Sequence, residues 1–248
     1  MGCVKLELSR LTKKYQGTRA LDNVSLVIEP GQIVALIGLN GAGKTTLLRC
    51  LSAIVAPTSG QILYDGTVFR RSRLDLRKRL MFLPDFPAIY ADMTPLQHVA
   101  LMARLYERDP AALEEPLLRV FGELDLLPLA EVPVGRLSRG QLYKVALAAL
   151  VVINPELWLL DEPFASGLDP QGLAMIKEYS RAAAKAGATV IYSTQILEIA
   201  ERFADQLCVI DRGQFRQIYS RAELLAMPPE GPDSLEARLR QFREVPSS

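Results

Sequence analysis

The stretch Gly38-Leu39-Asn40-Gly41-Ala42-Gly43-Lys44-Thr45-Thr46 fits the P-loop pattern G-x-x-x-x-G-K-[ST]. An apolar run, Ile33–Ile37, precedes it and a helical pattern, Thr45–Leu51, follows it, which is the strand–loop–helix context that the pattern requires. Its glycines let backbone N–H groups turn inward without Cβ clashes, and these donors form an anion cradle with the helix N-terminus. The alternative is a glycine-rich turn in front of an ordinary helix. With the context given, we predict that Lys44 reaches nucleotide phosphates and that the Thr45 hydroxyl binds Mg²⁺.

Composition limits the classes of protein and of partner. The 248 residues are 49% hydrophobic and 23% charged, which suits one large domain or two small ones. A formal net charge of +1 disfavours nucleic acid as a partner. Cys3, Cys50 and Cys208 are scattered without C-x-x-C spacing, so we expect reduced thiols in a cytoplasm, with no signal peptide. The longest apolar region, Val145–Leu160, is too interrupted to span a bilayer, so any membrane role requires a partner.

Two acidic residues end a buried strand in the second half of the chain. Leu157–Leu160 is continuously apolar and leads to Asp161 and Glu162. Carboxylates are costly to bury without a role, and the carboxyl ends of parallel strands face the ligand crevice. We therefore expect Asp161 to hold Mg²⁺ through water and Glu162 to polarise the attacking water, with a helix cap as the structural alternative. The next buried strand, Thr189–Ser193, brings Gln195 to the same edge.

The N-terminal segment reads as β structure. Val4–Leu8 alternates apolar and polar residues, as an edge strand does, and Val24–Ile28 alternates again. Tyr15 lies between them in a polar, turn-prone segment. An aromatic ring at this place can stack on a base or simply pack.

Helical signals dominate residues 94–135. Thr94–Gln97 is a capping box with proline at the first helical position, and Asp109-Pro110 starts another helix. Both flanks mix strands and helices, so the segment predicts a helical insertion in an α/β core. Leu137-Ser138-Arg139-Gly140-Gln141 then opens a long helix, capped by Ser138 and Gln141, that ends at Asn154-Pro155. After a terminal hairpin, Met227–Pro232 predicts a linker and Ser234–Arg243 a charged amphipathic tail on the surface or against a partner.

Together these motifs resemble the ATP-binding subunit of an ABC transporter, over roughly residues 4–225. In that family a P-loop like Gly38–Thr45, a signature loop like Leu137–Gln141 and a Walker B segment like Leu157–Glu162 occur in this order. Three sequence segments most resemble those of the ATPases of bacterial type-2 ABC exporters: Phe82–Pro84, Thr94–Val99 and Ser193–Glu198.

The resemblance implies the fold and the partners. The fold would be α/β: a P-loop NTPase core with a parallel sheet flanked by helices, an N-terminal antiparallel β subdomain and a helical insertion over about 94–150. The ATPase domain would span residues 1–227, followed by a linker and short helical tail over 228–248. The partners would be a membrane permease and a second ATPase subunit, identical or different, at the cytoplasmic face of the cell membrane.

The resemblance also assigns residues. It implies a head-to-tail dimer with ATP between one subunit's P-loop and the other's signature loop. Glu162 and Gln195 would be catalytic, and Mg²⁺ would be held by Thr45, Asp85 and Asp161. Gly167–Asp169 matches the family's loop that communicates across the dimer. The residues implied to bind ATP are Tyr15, as the adenine-stacking aromatic, with Gly38, Asn40, Gly41, Ala42, Gly43, Lys44, Thr45 and Thr46.

Four departures from the family pattern stand out. Asp85 replaces the usual glutamine, Arg139 replaces the first glycine of the signature loop, and Glu162–Asp169 is one residue longer than usual. Gln195 replaces the switch histidine; glutamine can donate a hydrogen bond but cannot carry a positive charge. Losing a positioned proton handler slows chemistry on the order of 10²–10⁴-fold, so we predict slow hydrolysis or hydrolysis only on assembly.

The sequence leaves three hypotheses about the function. The first is the motor subunit of an exporter, with the permease docked on Asp85–Asp92 and the helix from Thr94; exposed Phe86, Ile89 or Tyr90 would support it. The second is a soluble ABC ATPase in assembly or repair. The third is a nucleotide-sensing regulatory subunit with little hydrolysis. A P-loop kinase or GTPase is disfavoured because the Leu137–Gln141 loop would then have no role.

Overall fold

The computed structural model describes residues 3–228, 231 and 234–244, with two sheets and their surrounding helices. The strands are β1 (Leu6–Tyr15), β2 (Thr18–Ile28), β3 (Ile33–Ile37), β4 (Ser59–Tyr64), β5 (Thr67–Val68), β6 (Leu80–Leu83), β7 (Leu157–Leu160), β8 (Thr189–Thr194), β9 (Gln206–Asp211) and β10 (Gln214–Ser220). The helices are α1 (Lys44–Leu51), α2 (Leu74–Arg77), α3 (Pro95–Leu105), α4 (Pro110–Glu123), α5 (Arg139–Ile153), α6 (Pro170–Lys185), α7 (Leu197–Phe203), α8 (Arg221–Ala226) and α9 (Leu235–Glu244).

The larger sheet is mostly parallel and positions the site. Its order is β10-β9-β3-β8-β7-β6, and only β10 pairs antiparallel within it. Strands β3, β7 and β8 are buried at every residue, which explains the continuous apolar runs of β3 and β7. Because β3, β8, β7 and β6 are parallel neighbours, the residues that follow them meet at one edge of the sheet. The predicted P-loop core with a parallel sheet is confirmed.

The smaller sheet is antiparallel, in the order β2-β1-β4-β5, as expected for the N-terminal subdomain. The prediction that Val4–Leu8 is an edge strand is wrong, because Leu6 pairs with both Ile28 and Tyr64. Alternation reports a strand with one buried face, which central strands of such a sheet also have. Tyr15 is the last residue of β1 and not part of a turn-prone segment; the bulge with Arg10 at φ 46° breaks the alternation before it.

The core consists of two clusters on the two faces of the larger sheet. Alternate residues of a strand point to opposite faces, so Ile33 joins one cluster and Val34 the other. The first cluster contains Trp158, Tyr143 and the apolar faces of α3 to α6. The second fills the space between the two sheets around α1. The sheet edge that carries the P-loop is therefore supported from both faces.

The helical insertion begins where its caps predict. Thr94 Oγ1 accepts a hydrogen bond from the Gln97 N–H (3.2 Å), and Gln97 Oε1 accepts one from the Thr94 N–H (3.0 Å). Helix α4 begins after Asp109, as predicted. The sequence did not reveal α2, α7 or β5, which are short; Ile196 precedes α7 and gives it no side-chain cap.

The C-terminal hairpin forms from β9 and β10 as predicted, and Ser220 caps α8. The first residue of α9, Leu235, is 1% exposed and belongs to the first core cluster, so the tail is anchored on the domain. Pro229, Glu230 and Pro232 of the predicted linker lie outside the described residues, and the boundary at 227 stays a prediction. In the described part of the chain, no helix is long and apolar enough to cross a membrane.

Candidate active site

A cavity of about 600 Å³ lies at the carboxyl edge of the larger sheet. It brings together the segments that follow four parallel strands, β3, β8, β7 and β6. Its lining consists of Ala20, Leu39, Asn40, Gly41, Ala42, Gly43, Lys44, Thr45, Thr46, Arg49, Pro84, Asp85, Phe86, Asp161, Glu162, Ala165 and Gln195. The P-loop, both predicted acids and the predicted switch position thus share one cavity.

Glycine is required at two points of the P-loop for close packing. A Cβ at Gly43, which has φ 112°, would lie 2.5 Å from the carbonyl oxygen of Ala20. A Cβ at Gly38 would lie 2.3 Å from that of Ile210. Among the described residues, no side chain caps α1, which begins directly after Gly43, so its first N–H groups are available to an anion.

Lys44 is held inside the cradle by oxygen atoms of its own chain. Its side chain is buried, and Nζ donates a hydrogen bond to the Gly38 carbonyl oxygen (2.7 Å). Nζ also lies 3.2 Å from Glu162 Oε1. A buried ammonium is tolerated when it is paired and hydrogen-bonded, and these contacts fix its position at the phosphate cradle.

Asp161 accepts two hydroxyl hydrogen bonds on one oxygen. Thr45 Oγ1 donates to Asp161 Oδ1 (3.0 Å), and Ser193 Oγ donates to the same atom (2.7 Å). Hydroxyl and carboxylate oxygens are hard donors of the kind that Mg²⁺ prefers, so Thr45 and Asp161 fit the predicted ion. The sequence predicted Ser193 to be a strand residue and gave it no role. Its position near the end of a buried strand, at the sheet edge that also carries Asp161, could have indicated one.

Glu162 has an unusual backbone. Its φ of 48° and ψ of 47° lie in the left-handed region, which costs a non-glycine residue about 1 kcal/mol or more. The Ser193 hydroxyl accepts a hydrogen bond from the Glu162 N–H (2.8 Å). Strained conformations of this kind cluster at functional sites, where the surrounding structure maintains them.

Asp85 lines the cavity and pairs with the predicted signature loop. Arg139 Nη2 donates a hydrogen bond to Asp85 Oδ1 (2.6 Å), and the guanidinium carbon lies 4.0 Å from the centre of the Phe86 ring. Two of the four departures from the family pattern are therefore in direct contact. The role of Asp85 toward Mg²⁺ stays a prediction.

The predicted signature loop, Leu137–Gln141, does not line this cavity. These residues belong to the described part of the chain, and Ser138 caps α5 with the predicted capping box. Gly140 packs so closely on the loop after β7 that a Cβ would lie 2.4 Å from the Gly167 carbonyl oxygen. Within one chain, the predicted signature loop therefore borders the cavity only through the contacts of Arg139 with Asp85 and Phe86.

The loop between Glu162 and Asp169 begins with a short turn. Pro163–Ala165 forms a 3-10 turn, and the buried Ser166 hydroxyl donates to the Pro163 carbonyl oxygen (2.8 Å). Lys144 Nζ donates to Asp169 Oδ2 (2.7 Å), and this hydrogen bond lowers the pKa of the Asp169 carboxyl group. Asp169 is therefore fixed against α5 despite the longer spacing.

The Tyr143 hydroxyl is buried beneath the site. It has no hydrogen-bond partner among the described residues. Burial raises its pKa well above the usual value, and the charges of Asp85 and Asp161 raise it further. The phenol is therefore neutral at physiological pH and carries a donor without an acceptor.

Two of the predicted site residues, Tyr15 and Gln195, are not fixed inside the cavity. Tyr15 is half-exposed, does not line the cavity and has the Lys13 ammonium 4.9 Å from its ring centre. Gln195 is exposed and borders both this cavity and a second one of about 480 Å³ between α7 and α9. Adenine stacking by Tyr15 and catalysis by Gln195 stay predictions.

Comparison with known proteins agrees with the motifs. The sequence model of the family described as "ABC transporter" matches residues 21–165. The chain is 33% identical over 219 residues to the ABC-type transporter ATP-binding protein EcsA of Bacillus subtilis, covering 88% of each chain. It is 32% identical over 212 residues to the SkfA peptide export ATP-binding protein SkfE of the same species, covering 86% of this chain and 87% of that protein.

A solved structure has the same architecture. The structure described as the ATP binding subunit of an ABC transporter superposes with a TM-score of 0.83 at 28% identity, covering 98% of this chain and 95% of the other. The likeness therefore extends beyond the matched family segment to both sheets and the helices between them.

Proposed function

This chain belongs to the ABC transporter family and is an ATPase of that family, and from this premise we propose that it is the motor subunit of an exporter. In this role it dimerises on MgATP and drives a separate membrane permease from the cytoplasmic face. One solved relative is described as part of an ABC transporter complex, and another ATP-binding cassette was solved as a dimer. The export direction is supported by relatives that are named as export ATPases.

The proposal rests on one observation: a single chain supplies only part of the expected nucleotide site. The cavity contains the P-loop and both acids but none of the residues Leu137–Gln141. Ser138 and Arg139 are exposed at the capped N-terminus of the 15-residue helix α5, which favours an anion. A second subunit, related by a two-fold axis, would bring its own signature loop to this cavity and take this chain's loop in return.

Within the cavity we assign the roles as follows. The P-loop N–H groups and Lys44 bind the phosphates, and the Thr45 hydroxyl and Asp161 hold Mg²⁺. The ion would neutralise charge that develops on the phosphates. Glu162 accepts the proton of the attacking water, and Gln195 orients that water or the terminal phosphate with its amide.

The permease would dock on the loop after β6. Phe86 is 64% exposed and Tyr90 73% exposed, and both are on this loop. Ile89 instead packs in part against the first core cluster. Exposed aromatic side chains on a loop suit a protein interface, since aromatic residues are enriched at interfaces.

Co-purification tests this function. The tagged chain is purified from detergent-solubilised native membranes with ATP, and its companions are identified by mass spectrometry. We expect a multi-spanning protein in stoichiometric amount, and its loss in a variant with Phe86→Ser and Tyr90→Ser. Reproducible soluble companions without membrane protein would instead support the assembly-type ATPase. ATP-dependent dimers without phosphate release, even beside a permease, would support the nucleotide sensor.

A further inference from the structure

We propose that Asp85 and Phe86 are positioning residues for the signature loop, because they hold Arg139 of the same chain. Through this Arg139 cluster (Asp85, Phe86 and Arg139), the loop that faces the permease sets the position of the loop that meets the second subunit's nucleotide. The inference rests on the proposed dimer and permease, and it adds a direct link between the two.

The cluster uses both properties of a guanidinium group. Its edge donates to Asp85 Oδ1 (2.6 Å) while its face lies 4.0 Å from the centre of the Phe86 ring. Arginine can form an ion pair and stack at the same time because the group is planar, whereas lysine offers only a point charge. Phe86 is thus fixed by the same residue that begins α5.

Backbone hydrogen bonds tie the same two segments together. The Val134 N–H donates to the Met93 carbonyl oxygen (2.8 Å), and the Gly135 N–H donates to that of Ala91 (2.9 Å). A Cβ at Gly135 would lie 3.2 Å from the Ala91 carbonyl oxygen, so the segment before α5 packs closely on the loop after β6. These bonds fix the approach to α5, and the cluster extends the connection to its first turn.

The loop after β7 also holds the start of α5. Gly140 packs on Gly167, and Lys144 pairs with Asp169 (2.7 Å). The first turn of α5 therefore lies between the loop after β6 and the loop after β7. If the Arg139 contact weakens, the turn keeps its support from the loop after β7 but loses its side-chain link to the permease-facing loop.

The charges of the cluster are partly exposed, with 43% of the Arg139 side chain and 33% of that of Asp85 accessible. An exposed ion pair of this kind changes an equilibrium by about five-fold at most, so the effect is modest but measurable. A similar exposed pair, Arg73 with Asp75 (2.6 Å), lies at the start of α2 and gives a matched control.

Hydrogen exchange of the isolated chain without nucleotide tests the positioning. The Gln141 N–H donates to Ser138 Oγ (3.2 Å) and the Leu142 N–H to the Ser138 carbonyl oxygen (2.8 Å), so both amides report the first turn of α5. In Asp85→Asn and Arg139→Gln we expect exchange at these amides to rise about five-fold, less in Arg139→Lys, and not in Asp75→Asn. The charge-swapped variant with Asp85→Arg and Arg139→Asp should restore part of the slow exchange, because the ion pair returns without the stacking on Phe86.

Dimerisation is measured in parallel on variants that also carry Glu162→Gln. We expect Asp85→Asn to need about five times more ATP for half-dimerisation, with partial recovery in the charge-swapped variant. Exchange that stays slow in Asp85→Asn, or that stays fast after the swap, overturns the inference. If the Glu162→Gln chain itself never dimerises with ATP, the proposed dimer fails, while the exchange result still decides whether the cluster positions the loop.

Discussion

The ammonium of Lys44 lies 3.2 Å from the carboxylate of Glu162, so the cation of the phosphate cradle and the predicted catalytic acid are paired within one chain. The two residues follow β3 and β7, which lie on either side of β8 in the larger sheet, and Ser193 of β8 fixes the backbone of Glu162 beside Asp161. Glu162 therefore lies beside the predicted phosphate cradle within a single chain.

Replacing Glu162 with glutamine separates binding from hydrolysis. The amide keeps the size and hydrogen-bonding reach of the side chain but cannot accept a proton, so we expect hydrolysis to fall on the order of 10²–10⁴-fold. Nucleotide affinity, measured with a fluorescent ATP analogue, should change little. Glu178→Gln on the exposed face of α6 is the control and should keep the parental rate. A Glu162→Gln rate near that of the parent chain would contradict the assigned role.

Gln195 is expected to limit turnover. A histidine can carry the positive charge that glutamine lacks, so Gln195→His should raise kcat by roughly ten-fold or more, measured as phosphate release. Gln195→Ala removes the remaining donor and should lower kcat further. A fast parental rate that Gln195→Ala leaves unchanged would show that this position does not take part.

The Tyr143 hydroxyl is expected to destabilise the fold slightly. It is buried without a partner, so Tyr143→Phe should be neutral or stabilising by about 1 kcal/mol in urea unfolding. Tyr106→Phe is the matched control, because its hydroxyl donates to the Leu80 carbonyl oxygen (2.7 Å) and its loss should cost about 1 kcal/mol. Equal destabilisation by both substitutions would contradict this description.

The three thiols should differ in reactivity. Burial raises the pKa of Cys50 to about 11 and that of Cys208 to about 12, and the thiolate is the reactive form. At pH 8, iodoacetamide should therefore modify the exposed Cys3 alone in the folded chain, as read by mass spectrometry. Because the pKa values of Cys50 and Cys208 are raised only in the folded chain, the unfolded chain loses these thiol protons at lower pH. The free energy of unfolding should therefore fall as the pH rises above the usual thiol pKa of 9.0. Rapid modification of Cys208 in the folded chain would refute the assignment.

Local patterns predicted the parts of the site that are continuous in sequence. The P-loop and Asp161-Glu162 each follow a buried strand, and Ser138 begins a helix with its own capping box, so each was recognisable alone. The contact between Asp85 and Arg139 joins positions 54 residues apart, and no local pattern encodes such a pairing.

Two errors have the same physical origin. The apolar alternation of Val4–Leu8 reports which face is buried but not how many neighbours a strand has, so β1 was placed at an edge. Helix α7 lacks a capping side chain and is held by tertiary packing of Ala200 and Phe203, which the sequence does not display.

The shared nucleotide site is tested most directly by mixing two variants of the chain, each defective in a different half of the site. One carries Lys44→Ala and the other Ser138→Arg, both with Glu162→Gln, and dimerisation and retained ATP are measured by light scattering and nucleotide analysis. If each site combines one chain's P-loop with the other's signature loop, neither variant dimerises alone, while the mixed pair has one intact site. We predict that ATP joins the mixture into dimers that retain about one nucleotide each. A mixture that stays monomeric with ATP, as its components do, would contradict the shared site.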